Sequence, residues 1–263
     1  MADGSIGRET QTPAGPRPGM AAAEWDARVE LAALYRLAAL HGWDDAIFTH
    51  ISLRIPGPEH HFLVNPYGVF FDEMTASALV KVDLDGTIVA PTEYGINPAG
   101  FTIHSAIHTA RADARCVIHL HTVDGVGVSA QADGLLPISQ TALVVLPALA
   151  YHDYEGIALH LDERERLVRD LGDRSMMLLR NHGTLAIGES AAAAWTNMFF
   201  LERACSMQVA ALSAGRDGVL RAPDDSQRTV SAQTRGVGAA GAASLAWPGF
   251  LRLLDRKLPG YAV

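Results

Sequence analysis

Two histidines lie one residue apart in the apolar segment CVIHLH, residues 116–121. If this segment is a strand, its side chains alternate between two faces, so that Val117, His119 and His121 share one face. Two imidazole rings on one face at this spacing can bind a single metal ion at about 2 Å from each ring nitrogen. Two structural histidines would produce the same pattern, and the pair alone does not distinguish these possibilities.

A third histidine, His182, follows the apolar segment SMMLLR in an Asn-His-Gly turn. Gly183 allows an unusual backbone or a close approach of the chain at this turn. Three histidine ligands leave one coordination position open, as catalytic zinc sites require. The three histidines together therefore favour a metal centre more strongly than the first pair does.

His104 and His108 form a second group, four residues apart in the predicted helix AGFTIHSAIHTAR. This spacing places both on one helix face and also suits a metal pair. Because neither belongs to the first group, we expect them to support the site or to pack in the core. His60 and His61 lie in a predicted hairpin loop and are expected to be solvated.

The segments that must position these histidines alternate between helical and strand patterns. A first helix is predicted from apolar residues at helical spacing. These residues are Leu31, Leu34, Tyr35 and Ala38. Short strand patterns follow between residues 47 and 89, including FTHISLRI, HHFLVNP, ALVKVDL and TIVA. The later segments interleave helices and strands without repeats, which predicts one α/β/α layered domain.

The composition changes at both ends of the chain. Residues 1–21 are rich in Gly, Pro, Thr and charge, which predicts a disordered tail, and residues 22–215 form the predicted domain. Residues 216–263 are predicted to form an extension that docks on the core or on a neighbouring subunit. Its short apolar stripe consists of Trp247, Phe250, Leu251 and Leu254.

The charge of the chain limits its partners and location. Its net charge is −8 and its pI about 5.7, whereas nucleic acids and anionic membranes favour basic surfaces. No apolar run approaches membrane-spanning length, and the first twenty residues contain no apolar signal segment. Two cysteines are too few for a disulfide framework, so we expect a cytoplasmic protein. From the acidic charge and the absence of a long apolar run, we expect no nucleic-acid or membrane partner.

The chain resembles the class II aldolase/adducin family, specifically its adducin-head-like bacterial branch. The resemblance extends from about Glu24 to Gly215. The motifs that carry it are His119-Leu120-His121, RNHG, NPAGFTIHSAIHTARADARCVIHLHT, FTHISLRI, NPYGVFFDEMTASALVKVDLDG and DGLLPISQ.

This resemblance implies a three-layer α/β/α sandwich on a mixed sheet and a homo-oligomer, typically a cyclic tetramer with active sites between subunits. It also implies a divalent ion bound by His119, His121 and His182. Zinc is expected, and manganese, iron or cobalt would also suit the ligands. Such an ion acts as a Lewis acid that stabilises an enolate formed from the substrate.

The sequence departs from the sugar-phosphate aldolases of this family. Their Ser-Ser-Glu run matches Pro98, Ala99 and Gly100, so two phosphate-binding serines and the catalytic carboxylate are absent. Their Gly-Asn phosphate loop matches Thr49-His50, and their Thr-Gly pair matches Tyr67-Gly68. A tyrosine from the neighbouring subunit loosely matches Gln140. The resemblance therefore implies retained metal chemistry without a phosphate handle.

These observations predict a metal-dependent carbon–carbon lyase for a small unphosphorylated hydroxy or keto acid. Decarboxylation and retro-aldol cleavage are the favoured reactions, since each depends less than epimerisation on a carbon base. The candidate proton-transfer residues are Tyr94, His104, Tyr151 and Asp124. Glu93 is a weaker candidate for the missing carboxylate.

The alternative is a non-catalytic, adducin-like module for protein association. Adducin heads retain this fold without aldolase activity. The present sequence shows no counterpart of the neck and basic tail through which adducins contact the membrane skeleton. An association module would also have no evident need for three converging ligands.

Overall fold

The computed structural model describes residues 15–16, 18–156, 163–236 and 239–263. Most of the predicted N-terminal tail, residues 1–14 and 17, lies outside the described residues. The helices are α1 (Ala22–Leu40), α2 (Pro98–Ala110), α3 (Val123–Ser129), α4 (Gln140–Val145), α5 (Glu163–Leu171), α6 (Ala191–Leu212), α7 (Asp224–Gly236) and α8 (Ala239–Lys257). The strands are β1 (His50–Arg54), β2 (Phe62–Val64), β3 (Val80–Val82), β4 (Cys116–Leu120), β5 (Leu149–His152), β6 (Met176–Leu179) and β7 (Gly183–Gly188).

Within the described residues, seven strands form one sheet in the order β3-β2-β1-β4-β7-β6-β5. Strands β5 and β6 are parallel, and the other neighbouring pairs are antiparallel. The sheet is therefore mixed, as the resemblance implied. The segment TIVA is not a strand, because its Ile88 forms only an isolated bridge with Val82.

Helices cover both faces of this sheet. Helices α2 and α5 pack on one face, where Ile103, Ile107, Leu167 and Leu171 join the sheet residues in one core cluster. The other face carries a larger cluster, to which α1, α3, α4, α6 and α8 contribute. The predicted α/β/α sandwich is thus confirmed.

The apolar spacing in α1 explains how this helix holds the central strands. Leu31, Leu34 and Tyr35 are fully buried. The Tyr35 hydroxyl accepts hydrogen bonds from the backbone N–H groups of Ile51 at 2.9 Å and Asn65 at 3.0 Å. Burial and these bonds fix the start of β1 and the end of β2 against the helix.

Strand β4 alternates as its sequence predicted. Cys116, Ile118 and Leu120 belong to the larger core cluster, whereas Val117 faces α2 and α5. His119, two residues further on, shares the face of Val117. The histidine of this strand therefore faces the α2 side of the sheet.

Three strand ends meet at one end of the sheet. The first residue of β1, His50, pairs with His119 near the end of β4. On the other side of β4, Leu120 pairs with Thr184 at the start of β7. The turn that carries His182 leads directly into β7, so the topology brings this turn to the end of β4.

The C-terminal helix α8 packs against the larger core cluster. Leu254 is fully buried there, and Trp247, Phe250 and Leu251 pack around it. Both cysteines are free and buried, and burial raises the pKa of the Cys116 and Cys205 thiols. No helix in the described part of the chain has both the length and the hydropathy for crossing a bilayer.

Candidate metal centre

The three histidines singled out in the sequence converge on one point. One side-chain nitrogen from each of His119, His121 and His182 lies within 4.8 Å of the other two. The ring centroids are 4.7, 4.7 and 4.8 Å apart. The Nε2 atoms of His119 and His121 are 3.0 Å apart. Two nitrogens on a tetrahedral zinc ion lie about 3.3 Å apart, so the cluster has suitable dimensions for one ion.

Partners outside the cluster fix the protonation of two of these rings. His119 Nδ1 lies 3.0 Å from the carbonyl oxygen of Thr184, and His121 Nδ1 lies 3.0 Å from a carboxylate oxygen of Asp45. Each oxygen only accepts hydrogen bonds, so each Nδ1 must donate. In the neutral rings, both Nε2 atoms are then bare acceptors that face each other. Such bare nitrogens are the form of histidine that binds metal ions.

The turn before β7 has the backbone that brings His182 into the cluster. Asn181 has φ of 56°, a left-handed conformation that asparagine tolerates better than most residues. A Cβ on Gly183 would lie 2.3 Å from the carbonyl oxygen of Leu120. Only glycine allows the turn to approach the end of β4 so closely. Gly183 therefore provides the close approach and Asn181 the unusual backbone.

Burial keeps two of these imidazoles, His119 and His182, neutral. Burial, followed by His182, His121 and His50, holds the pKa of His119 well below its usual range. Burial and the neighbouring histidines lower the pKa of His182 to about 4. A neutral ring retains the lone pair that a metal ion needs, so the site is prepared for a cation at neutral pH.

A buried carboxyl group on the opposite face of the sheet forms hydrogen bonds to two residues next to the three-histidine cluster. Glu202 on α6 is 1% exposed and accepts hydrogen bonds of 2.5 Å from Thr122 and Thr184. Thr122 follows His121 directly, and the backbone carbonyl of Thr184 accepts from His119. Burial raises the pKa of Glu202 to about 7. Glu202 thus connects the segments that carry two of the histidines.

His104 and His108 are buried residues of α2 and belong to a different network. Ser52 Oγ lies 2.6 Å from His104 Nδ1 and 2.7 Å from His108 Nε2. His108 Nδ1 lies 2.9 Å from the carbonyl oxygen of Ala114. The structure therefore places His104 beside the three-histidine cluster rather than in it.

The structure places Tyr94 and Glu93 elsewhere. Both line a cavity of about 460 Å³ together with Arg28 and Lys81. Tyr94 also packs near Phe101 in a small apolar cluster beside β2 and β3. Within this chain, neither residue joins the three histidines.

Tyr151 and Asp124 have other partners. The Tyr151 hydroxyl accepts a hydrogen bond from the Leu135 backbone at 3.0 Å, and the Arg180 guanidinium stacks over its ring at 4.5 Å. Its side chain packs on the larger core cluster, across the sheet from His119. Asp124 accepts a hydrogen bond of 2.5 Å from Ser206 on α6. Neither side chain is among those that converge on the centre.

Sequence reasoning did not single out Asp45, Thr184 and Glu202. A lone acid in the apolar helix sequence MFFLERACSM was a usable signal for Glu202, since buried carboxylates need partners. Thr184 contributes its backbone carbonyl, for which residue type gives no signal. Asp45 lies in the irregular segment before β1, and only the folded structure brings it to His121.

Comparison with known proteins agrees with this arrangement. The chain matches the family described as "Class II Aldolase and Adducin N-terminal domain" over residues 29–209. It is 66% identical over 240 residues to the "Putative aldolase class 2 protein" of Caulobacter vibrioides, across 91% of this chain and 93% of that protein. The protein therefore belongs to the class II aldolase/adducin family.

Two further relatives show the range of this family. The crystal structure of an aldolase II superfamily protein from Pseudomonas syringae matches with a TM-score of 0.91 and 52% identity, over 94% of this chain and 99% of that one. Alpha-adducin of Rattus norvegicus is 47% identical over 190 residues, which are 71% of this chain and 26% of alpha-adducin. The same domain thus occurs in proteins named for aldolases and in adducins.

Proposed function

We propose that this protein is a divalent-metal-dependent lyase for a small unphosphorylated hydroxy or keto acid. The observation that carries the proposal is the pair of Nε2 atoms of His119 and His121, 3.0 Å apart. When both rings are neutral, as metal binding requires, both atoms are bare acceptors, because the opposite ring nitrogens donate to Thr184 and Asp45. Two acceptors at this distance repel each other unless a cation lies between them. A metal ion would satisfy both atoms and the nearby His182 at once.

The three histidines would hold the ion, for which zinc is the expected identity. When bound, the ion acts as a Lewis acid on a substrate carbonyl or hydroxyl oxygen. Three protein ligands leave at least one position for the substrate. Asp45 and Thr184 orient two of the rings, and Glu202 holds their segments in place.

The surroundings of Gly100 support a reaction that does not need a carboxylate there. A Cβ on Gly100 would lie 2.5 Å from atoms of the His50 ring. The position of the family's glutamate is therefore closed by His50 in this chain. Decarboxylation needs a carbon base least, since departing CO₂ leaves its electron pair on the substrate. Retro-aldol cleavage needs a base only for a hydroxyl proton.

A substrate screen tests this proposal. Zinc-loaded protein should cleave or decarboxylate a member of a panel of unphosphorylated hydroxy and keto acids. Fuculose, rhamnulose and ribulose phosphates should not be turned over usefully, because the paired serines and the Gly-Asn loop are absent. Aldolase-like activity on these phosphates would contradict the proposal. So would rapid exchange of the substrate's α-hydrogen with solvent deuterium without cleavage, since it would reveal a competent carbon base.

Restoring the carboxylate requires two substitutions. Gly100→Glu alone would displace His50, so its effect would not isolate the missing carboxylate. Gly100→Glu combined with His50→Asn re-creates both family residues and removes the steric conflict. We expect the double variant to gain α-hydrogen exchange relative to His50→Asn alone. Equal exchange in the two variants would show that the carboxylate position was misassigned.

We also propose that the chain assembles into a cyclic homotetramer, as members of the family typically do. Light scattering of the purified protein at micromolar concentration should give about four times the 28.1 kDa of one chain. A monomer at that concentration would contradict this assembly.

A second candidate is an adducin-like association module, and the 47% identity to alpha-adducin favours it. The two functions differ in what the histidines do. A metal-dependent lyase loses activity when His121 is replaced, whereas an association module without metal retains its assembly and partners. Purified protein that holds no divalent ion, and that takes up no zinc on titration, would favour the module.

A further inference from the structure

Several buried polar atoms without partners lie together beside the three-histidine cluster. Within the described residues, these are both ring nitrogens of His50 and Nε2 of His104. The side chains are almost entirely buried, with His50 at 4% and His104 at 1% exposure. A buried polar atom without a partner is unfavourable and rare in folded proteins. Their grouping at the start of β1 points to a function for His50.

The hydrogen bonds around Ser52 determine where the protons lie. The carbonyl of Ala114 can only accept, so His108 Nδ1 donates to it at 2.9 Å. Burial and Arg54 lower the pKa of His108 to about 3, so its Nε2 is a bare acceptor. The Ser52 hydroxyl therefore donates to His108 at 2.7 Å and accepts from His104 Nδ1 at 2.6 Å.

This chain of bonds leaves His104 with a bare nitrogen. Burial holds the pKa of His104 well below its usual range, so the neutral ring carries its single proton on Nδ1. Its Nε2 atom is then an acceptor without a partner. The His50 ring lies beside it, with centroids 6.0 Å apart and planes at 74°. A small adjustment of His50, or one water molecule, would let a His50 N–H donate to this acceptor.

The other side of His50 faces the three-histidine cluster. His50 lies directly opposite His119 in the β1–β4 pair, and directly opposite residues project from the same face, with Cβ atoms about 5 Å apart. Burial, followed by the nearby His121 and His182, lowers the pKa of His50. The backbone of Gly100 packs against the His50 ring, where any side chain would collide with it.

We propose that His50 is a substrate-binding residue whose tautomer is set by the buried series His104–Ser52–His108. One His50 nitrogen donates toward His104 Nε2, and the other presents a bare lone pair to the three-histidine centre. There it accepts a hydrogen bond from a hydroxyl group of the substrate. This inference rests on the proposed function and adds a substrate feature, a hydroxyl next to the group held at the centre. His104 acts through His50 and is a positioning residue.

The tautomers can be measured without metal or substrate. Two-bond nitrogen NMR of metal-free protein at neutral pH, assigned with single histidine variants, reports which ring nitrogen carries the proton. We expect His104 and His108 to carry it on Nδ1. Ser52→Ala should move or mix the His104 tautomer, whereas Ser105→Ala should not. Ser105 is a buried serine on α2 that bonds its own helix backbone. A wild-type His104 protonated on Nε2, or a His104 unaffected by Ser52→Ala, would overturn the proposal.

The hydroxyl contact can be measured with glycolate and acetate, which differ by one hydroxyl group. In zinc-loaded wild type, NMR titration should show tighter binding of glycolate. His50→Phe should reduce the ratio of the two affinities by about 2- to 12-fold, as expected for one neutral hydrogen bond. Acetate binding should change little. An unchanged ratio in a folded, zinc-loaded His50→Phe variant would overturn the assignment.

Zinc stoichiometry separates this inference from the proposed function. If wild type binds no zinc, the proposed lyase fails, while the metal-free NMR still decides the tautomers. If both proteins bind one zinc ion per chain and the affinity ratio does not change, the role of His50 alone fails.

Discussion

Two groups of histidines lie on the same face of the sheet and differ in what their nitrogens contact. In the three-histidine cluster, outer nitrogens of His119 and His121 bond to Thr184 and Asp45, while their inner nitrogens converge on each other. On α2, His104 and His108 share the Ser52 hydroxyl, and His108 also bonds the carbonyl oxygen of Ala114. Both groups have spacings that suit a metal pair. The difference indicates that the hydrogen-bond partners of the ring nitrogens, and not spacing alone, separate histidines that could hold an ion from histidines that bond within the protein.

The largest predicted effect is the loss of zinc affinity when one of the three clustered histidines is replaced. Replacing His119, His121 or His182 by Ala should each lower zinc affinity by more than about a hundredfold, because a tetrahedral site loses a ligand. The control is His60→Asn in the exposed loop, where asparagine tolerates the φ of 55°. Elemental analysis would measure zinc occupancy, and competition with a zinc indicator would measure zinc affinity, in the ligand variants and in the control. Full zinc occupancy in His121→Ala would remove the basis of the metal centre.

The second prediction concerns the pH dependence of stability. Burial raises the pKa of Glu202 to about 7 from 4.5, so the native protein binds more protons than the unfolded chain between these values. The free energy of unfolding should therefore fall as pH rises through this interval, by about 3 kcal/mol from this group. The full stability from this group is present only below pH 4.5, where the carboxyl group is protonated in both the folded and the unfolded state.

Glu202→Gln should remove this component while keeping contacts to both threonines. Urea unfolding of metal-free wild type and variant between pH 4.5 and 8 would give the difference. Parallel pH profiles of the two proteins would show that Glu202 is ionised in the native state throughout.

The partner of His121 provides a smaller test of the same comparison. Asp45→Asn should weaken zinc binding about 10- to 100-fold, as is typical when a residue that orients a ligand is lost. Asp44 is an exposed neighbour with the same charge, so Asp44→Asn controls for the loss of one negative charge near the site. Equal zinc affinities in the two variants would show that Asp45 does not orient His121.

The smallest effect is expected in the buried group. His108→Gln should lower the free energy of unfolding by about 1–3 kcal/mol, because it disturbs hydrogen bonds inside the protein. Zinc affinity should stay within a few-fold of wild type. His61→Gln in the loop should change stability by less than about 0.5 kcal/mol. Loss of zinc in a folded His108→Gln variant would show that the His104–His108 group also contributes to the metal centre.

The folded chain also contains helices that sequence patterns did not predict. Helix α3 begins two residues after His121 and is capped by Thr122, whose hydroxyl accepts a hydrogen bond from the backbone N–H of Gly125 at 2.9 Å. Its glycines and β-branched residues are weak helix formers. Tertiary contacts with α6 stabilise it instead. Strand β5 and helices α7 and α8 were likewise not predicted individually.

The sequence by itself determined the layered α/β fold, the face of β4 that carries His119, and the three histidines that converge. It could do so because alternation, apolar periodicity and turn glycines are local consequences of backbone geometry. Only the tertiary structure decided which polar groups meet. Asp45 reaches His121 across 76 positions of chain, and His50 fills the space left by Gly100. Such contacts depend on how separate elements pack, and no local pattern encodes the resulting distances or proton positions.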